Sequence, residues 1–247
     1  MLSKTALKAI EAYGGVGLWQ NSKYLEAEVS VKGLLFTLKQ RPFFDLATIR
    51  MEIGRPFSKT SPIGKDRNIT GVLDGNDVRL ENSSGEVVAE RKNARQYFPY
   101  GRRLLYWDDL DMAYFANYAF WNYFTFPNLL MNPQIKWIEK ENGILEATYP
   151  DTIPVHSKVQ NFRIDMTTGR LIQQNYTAEV VSKFATAANL VTEHSEENGL
   201  IYPSRRLITP KSKSGKALKI PVLVDIKVHR FRLTNEEIME TNYNIRI

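Results

Sequence analysis

Chemistry in this chain would have to come from few residues. His156, His194 and His229 are its histidines, and it has no cysteine. A thiolate nucleophile, a disulfide and a Cys-ligated zinc or iron–sulfur site are thereby excluded. No HxxxH or HxH spacing sets two imidazoles on one face, so no metal site is expected. GGVGLW at Gly14 lacks the strand before it and the Lys-Ser/Thr after it that a phosphate loop needs, and reads as a helix stop. There is no GxSxG elbow, and no cofactor is expected. General acid–base work remains. Asp111 with His156 or His194 is the most economical set for moving a proton. An ordinary strand or turn position is the plainer account of either histidine. Asp108, Asp109 and Asp111 could in principle hold a divalent cation, although three acids at a helix start more often serve as cap and surface.

The densest run of candidates is YWDDLDMAYFANYAFWNYFTFPNLL, Tyr106–Leu130. It has ten aromatic residues in 25 positions and three charges, all aspartate. Asp108 stands where a cap belongs and Asp111 follows three residues on, which predicts a helix over 108–124. At about 100° per residue, Met112, Ala113, Ala116, Ala119, Phe120 and Tyr123 share one side. Its three alanines would let a sheet approach closely. Asp111, Tyr114, Phe115, Tyr118 and Asn122 share the other side, with Trp121 at its edge. Two phenols, an amide and a carboxylate on one stripe describe either a ligand pocket or a core whose polar groups meet strand carbonyls. The pocket reading nominates Trp107, Tyr114, Phe115, Tyr118, Trp121 and Asn122, with Gln160 and Arg205 from facing strands. Strand neighbours point to opposite faces, so only one of Arg205 and Arg206 can turn inward. An inward arginine would pair with Asp111 or receive an anionic ligand group. Phe126-Pro127 ends the helix, and Leu129, Leu130 and Met131 would form an apolar lip.

These residues need a scaffold, and the periodicity supplies one. A helix over 3–13 opens the chain, capped by Ser3 and stopped at Gly14-Gly15. The pattern then changes to period two: Ala27, Val29 and Val31 lie opposite Glu26, Glu28 and Ser30. Leu34, Phe36 and Leu38 continue it past Gly33, and Ala47, Ile49, Met51 and Ile53 repeat it. Asp74-Gly75, Glu141-Asn142-Gly143, Thr167-Thr168-Gly169 and Asn198-Gly199 are hairpin turns. IPVLVDIKVHRFRLT is a long last strand, and a polar tail follows over 235–247. The expected fold is mainly β (α+β), a single domain over 1–247. A single large curved antiparallel sheet forms an unclosed half-barrel, with the N-terminal helix and the aromatic helix on its concave side.

Composition bounds the rest. At 247 residues and 43% hydrophobic, the chain can bury a sizeable core. MLSKTALKAIEAYGG has no signal-peptide apolar run, and no stretch approaches the roughly 18 apolar residues of a membrane span. A cytoplasmic protein is expected. The net charge of +6 is uneven, with nine Lys/Arg and one acid between Ile201 and Leu233. Such a region suits a solvated loop, or a surface that meets nucleic acid, anionic lipid or an acidic partner. No nucleic-acid motif accompanies it, so no nucleic-acid partner is expected.

WDDLDMAYFANYAFWNY and HSKVQNFRID…GRLIQQNYTAEVV…HSEENGLIYPSRR resemble a family of uncharacterised bacterial proteins, over Gly71 to Leu233. That resemblance brings no activity with it. The order of elements is similar to the LolA/LolB lipoprotein-carrier fold and to the violacein-biosynthesis enzyme that shares it. It implies an unclosed barrel around a hydrophobic cavity. This chain lacks the carriers' signal peptide and lipobox cysteine, which points away from periplasmic lipoprotein trafficking. Three functions stay open: a binder of a hydrophobic or aromatic small molecule or lipid, an enzyme of secondary metabolism using Asp111, a tyrosine or a histidine, and a partner-binding module built on the basic region. Oligomeric state is left open.

Overall fold

The computed structural model describes residues 2–236. The tail expected over 235–247 lies, from position 237, outside the described residues. Before the aromatic segment come β1 (Tyr24–Lys32), β2 (Phe44–Glu52), β3 (Phe57–Ser61), β4 (Thr70–Asp74), β5 (Asp77–Glu81) and β6 (Val87–Arg91). After it come β7 (Lys136–Lys140), β8 (Ile144–Thr148), β9 (Val159–Ile164), β10 (Leu171–Thr177), β11 (Thr186–Glu197), β12 (Leu200–Pro210) and β13 (Val224–Thr234). They form one 13-stranded sheet in the order β6-β5-β4-β3-β2-β1-β13-β12-β11-β10-β9-β8-β7. Every pairing is antiparallel, and all but β1–β13 join consecutive strands. The sheet is not closed: β6 and β7 are its edges. Lys136, Glu139 and Lys140 on β7, and Glu90 and Arg91 on β6, put charge on those edges, which discourages pairing with another chain.

The aromatic segment connects the two edges and forms α4, introduced after α1 (Lys4–Ala12), α2 (Gly15–Gln20) and α3 (Leu34–Leu38). Helix α4 spans Asp109–Phe124, and 14 of its 16 residues are buried, so it lies within the protein rather than on it. Asn117 accepts hydrogen bonds from Ser58 and Thr60 on β3, while Tyr123 bonds Tyr176 on β10. β3 and β10 stand six steps apart in the sheet. At about 4.8 Å per strand a flat sheet would separate them by roughly 29 Å. A helix with side chains is only about 10–12 Å across. The sheet therefore curls around α4, which occupies its concave side. Gly71 lets β4 come close: a Cβ there would lie 2.7 Å from the Cβ of Ala113.

Three local expectations change. Leu34, Phe36 and Leu38 belong to the short helix α3, not to a continuing strand. Gly33 causes the break, since its φ of 141° suits glycine and a Cβ there would meet the Leu223 carbonyl at 2.4 Å. Gly14-Gly15 ends α1 but opens α2, which buries Trp19. Thr125 then separates α4 from the one-turn α5 (Phe126–Leu129), so Pro127 starts a helix where only a stop was expected.

Candidate functional site

A cavity of about 170 Å³ lies between α4 and the sheet. The helix faces it with Met112, Phe115, Ala116, Ala119, Phe120 and Tyr123. This is the alanine side, expected to pack tightly. The alanines instead leave space, because the sheet approaches the helix at Ala113 and Asn117 and curves away beyond them. Val31, Ala187, Ile208 and Ile226 supply the sheet wall. Leu38 of α3 borders the cavity and is 57% exposed, which places an opening to solvent beside α3.

The polar wall of the cavity consists of His156, Tyr123 and Tyr176. His156 is 1% exposed. Its Nδ1 lies 3.0 Å from the Tyr118 hydroxyl and its Nε2 2.7 Å from the Tyr123 hydroxyl. Tyr123 in turn bonds the Tyr176 hydroxyl, and the imidazole stacks on the Tyr176 ring at 4.1 Å. Burial, helped by the Arg95 charge, holds the His156 pKa down to about 3, so the ring is neutral at physiological pH. Burial also raises the pKa of Tyr118, Tyr123 and Tyr176, which stay protonated. These polar atoms bond one another along a chain and turn mostly ring carbon toward the cavity.

The stripe proposed as a pocket faces protein instead. Of the residues nominated from the sequence, Phe115 and His156 line the cavity. Tyr114 reaches Asn76 and stacks on Phe98, and Tyr118 bonds His156. Trp107 donates to the carbonyl of Arg103, and Trp121 to that of Glu52. Asn122 donates to the Tyr149 hydroxyl, and Gln174 donates to both Asn122 and Gln160. Each of these nominated side chains finds a partner where it is buried, whereas Oε1 of Gln174 has none among the described residues.

Asp111 pairs with neither histidine. It is fully buried at the first turn of α4 and closes a capping box with Asp108. Its carboxylate takes Arg91 at 2.6 Å, Arg103 at 2.6 Å and Arg102 at 2.9 Å. Asp108 binds Arg91 and Arg102, and Asp109 pairs with Arg41. Burial opposes ionisation of Asp108, but Arg91, the Asp111 N–H and Arg102 outweigh it and lower its pKa. The three acids are thus occupied by arginines, and among the described residues no cluster suited to a metal ion occurs. His194 instead bonds the Tyr13 hydroxyl at 2.9 Å.

Arg205 is also placed differently from the nomination. It points outward, 41% exposed, toward Asp225 and Glu193. Arg206 is the inward residue and is fully buried. Its Nη2 donates to the Tyr123 carbonyl at 2.9 Å, and its guanidinium carbon lies 5.3 Å from the Tyr123 ring centre. Nε and Nη1 have no hydrogen-bond partner among the described residues. Burial lowers its pKa to about 10, which leaves it charged at pH 7. Tyr123, Tyr176 and Arg206 are the residues the nominations missed. For Arg206 a signal existed: Tyr202, Ser204 and Ile208 share its parity on β12 and are buried with it.

No family model matches the chain, and no curated protein does. Among solved structures, a LolA superfamily protein from Nitrosomonas europaea is similar over 96% of this chain and 95% of its own, with 13% identity and a TM-score of 0.51. A DUF1329 family protein from Desulfovibrio piger is similar over 93% and 91%, with 11% identity and a TM-score of 0.47. An outer membrane lipoprotein-sorting protein domain from Vibrio parahaemolyticus covers 95% and 93%, with 14% identity and a TM-score of 0.45. The unclosed 13-stranded sheet curled around its helix has the LolA-like fold.

Proposed function

We propose that this protein binds the apolar part of a small molecule or lipid in the cavity beside α4. The observation that carries this reading is an apolar cavity whose polar wall atoms already bond one another. Water in such a space finds few partners, and a cavity of about 150 Å³ lined by apolar side chains stays dry and takes up benzene. A ring or a short alkyl segment fits a volume of about 170 Å³. The opening beside Leu38 supplies a route of entry. The LolA-like fold accords with the reading but identifies no ligand.

The acid–base alternative loses the geometry it relied on, because Asp111 is held by arginines and neither histidine reaches it. A neutral His156 among protonated tyrosines also leaves that wall without a group that titrates near pH 7. The test is titration with benzene and 1-octanol, followed by tryptophan fluorescence and calorimetry. Saturable binding is expected, with Ala119→Leu abolishing it while shifting stability by about 1 kcal/mol or less. Affinity unchanged in Ala119→Leu would place the ligand elsewhere and end this reading.

A further inference from the structure

One end of the sheet collects three of its connections. Lys32 lies opposite Asp225 and Val31 opposite Phe44, so the segment 33–43 joins β1 to β2 at the end where β13 begins. Ala187 pairs with Pro210 and Thr177 with Thr186, which brings the β12–β13 connection (211–223) and the β10–β11 connection (178–185) to that same end. Backbone N–H groups of Leu34 and Leu35 donate to the carbonyls of Val222 and Leu223. All three connections reach the cavity, through Leu38, Val181 and Leu223. A fourth segment, 100–106, is tied to them. Nζ of Lys39 donates to the carbonyls of Arg103 and Leu104, and the N–H of Trp107 to the carbonyl of Lys39.

The end these segments form is apolar where a folded surface is usually polar. Leu34, Leu38 and Phe43 are exposed on the first, and Tyr100, Leu104, Leu105 and Tyr106 on the fourth. The other two expose Phe184, Leu218 and Ile220. These are ten of the 19 large apolar side chains exposed among the described residues, so the exposure is concentrated rather than scattered. Leu105, Phe184 and Ile220 are 75%, 78% and 77% exposed, which leaves nearly all of each side chain without cover from the fold.

The charge of the same end is one-sided. Lys183, Lys211, Lys213, Lys216 and Lys219 stand on these segments, and Lys183 lies over the ring of Phe184 at 5.2 Å. The four segments hold one acid, Glu179, which Arg95 already takes. Lysines beside exposed leucine, isoleucine and phenylalanine fit a partner that is anionic at its face and apolar beneath it. A lysine stem lies along apolar material while its ammonium stays at the polar level. Tyrosines such as Tyr100 and Tyr106 suit the boundary between the two.

We propose that this end of the sheet docks on an anionic lipid bilayer. Leu105, Phe184 and Ile220 enter the boundary between headgroups and acyl chains, and the lysines meet the lipid phosphates. The opening beside Leu38 lies within the docked face. This goes beyond the cavity reading and does not rest on it, because the docking surface is made of exposed side chains whether or not the cavity is filled.

The experiment is flotation of the protein with vesicles of phosphatidylcholine alone, and of phosphatidylcholine and phosphatidylglycerol in equal parts. Binding is expected with the anionic vesicles and should weaken as salt is raised. Lys213→Gln, Lys216→Gln and Lys219→Gln together should weaken it by on the order of a hundredfold. Leu105→Ser, Phe184→Ser and Ile220→Ser together should remove it with the urea midpoint held, since these side chains are exposed. In Ile220→Trp, brominated acyl chains should quench the added indole beyond any quenching seen in the wild type. Adsorption at the headgroups alone would not produce that signal. No binding to anionic vesicles, equal binding to both kinds, or binding that survives both sets of substitutions would overturn the inference. So would a wild type that ignores vesicles but self-associates until the three serines are introduced, which would give the patch to a second copy of the chain. Titrations with 1-octanol on the same variants keep the cavity reading separate.

Discussion

At its first turn α4 gathers Arg91, Arg102 and Arg103 around Asp108 and Asp111, with Arg41 on Asp109. At its last turn it meets a single arginine, Arg206, through a backbone carbonyl and the face of Tyr123. The first arrangement balances cations with carboxylates and with the positive end of the helix, and it needs nothing from outside the chain. The second leaves a charge unmatched in a more deeply buried place. The difference separates a clamp that fixes the entry of the helix from a position that folding alone does not account for.

The comparison can be broken at either end. The largest effect is expected from Asp111→Asn. It removes the negative charge that Arg91, Arg102 and Arg103 share and replaces one of the two oxygens with an NH2, which cannot accept, at a fully buried position. Breaking such a buried set costs about 3–5 kcal/mol, read as a lower urea midpoint at unchanged slope. Lowering the pH separates the two ends next. Folded His156 takes a proton only near pH 3, whereas the unfolded chain takes it near 6.5. The group's contribution is therefore complete above pH 6.5 and is lost as the pH falls from there. The loss is roughly 1.4 kcal/mol per unit, or about 3 kcal/mol by pH 4. His194, held down to about 4 by burial and then by Arg170 and Arg206, adds a smaller share because it is only half buried. Asp108 has its pKa lowered, so its contribution is retained across this window and is lost at still lower pH. His156→Gln should flatten most of the slope in urea unfolding between pH 6.5 and 4, and a slope left intact would assign the loss elsewhere. The smallest effects come from neighbouring arginines. Arg206→Met is expected to hold or raise stability, by about 1 kcal/mol, because it removes an unpaired buried charge. Arg205→Ala should cost at most about 0.5 kcal/mol, being an exposed pair. A large loss in Arg206→Met would show that the charge is structural after all.

Much of the scaffold could be read in the sequence because its signals are local. Asp74-Gly75, Asn142-Gly143 and Asn198-Gly199 set hairpins, and alternation at Ala27, Val29 and Val31 set the buried face of β1. Asp108 and Asp111 announced the start of α4, and the capping box is present. The site was less legible because it depends on how far the sheet stands from each helix face. Angular position alone separated Ala116, Ala119, Phe120 and Tyr123 from Tyr114, Tyr118 and Asn122, but it put Phe115, which lines the cavity, with the second set. It could not say that the alanine side would face a space while Tyr118 and Asn122 met partners from His156, Tyr149 and Gln174. Those partners lie 27 to 52 residues away in the chain. Leu34–Leu38 misled for a similar reason: the apolar alternation is real, but Gly33 turns the backbone against Leu223, far along the sequence.

The seam between β1 and β13, where Tyr24 lies opposite Thr234, has a consequence for the order of assembly. Each wing of the sheet is a run of sequential hairpins that close over short loops, so both can form early. The seam must wait for residues about two hundred positions apart to meet. Until β13 has been made, β1 and β12 are open edges in the middle of the future sheet rather than at its charged borders. A chain emerging from the ribosome carries the β1 edge through nearly all of its synthesis, the β12 edge joining it only shortly before β13 is made, and these are surfaces through which nascent copies would join wrongly.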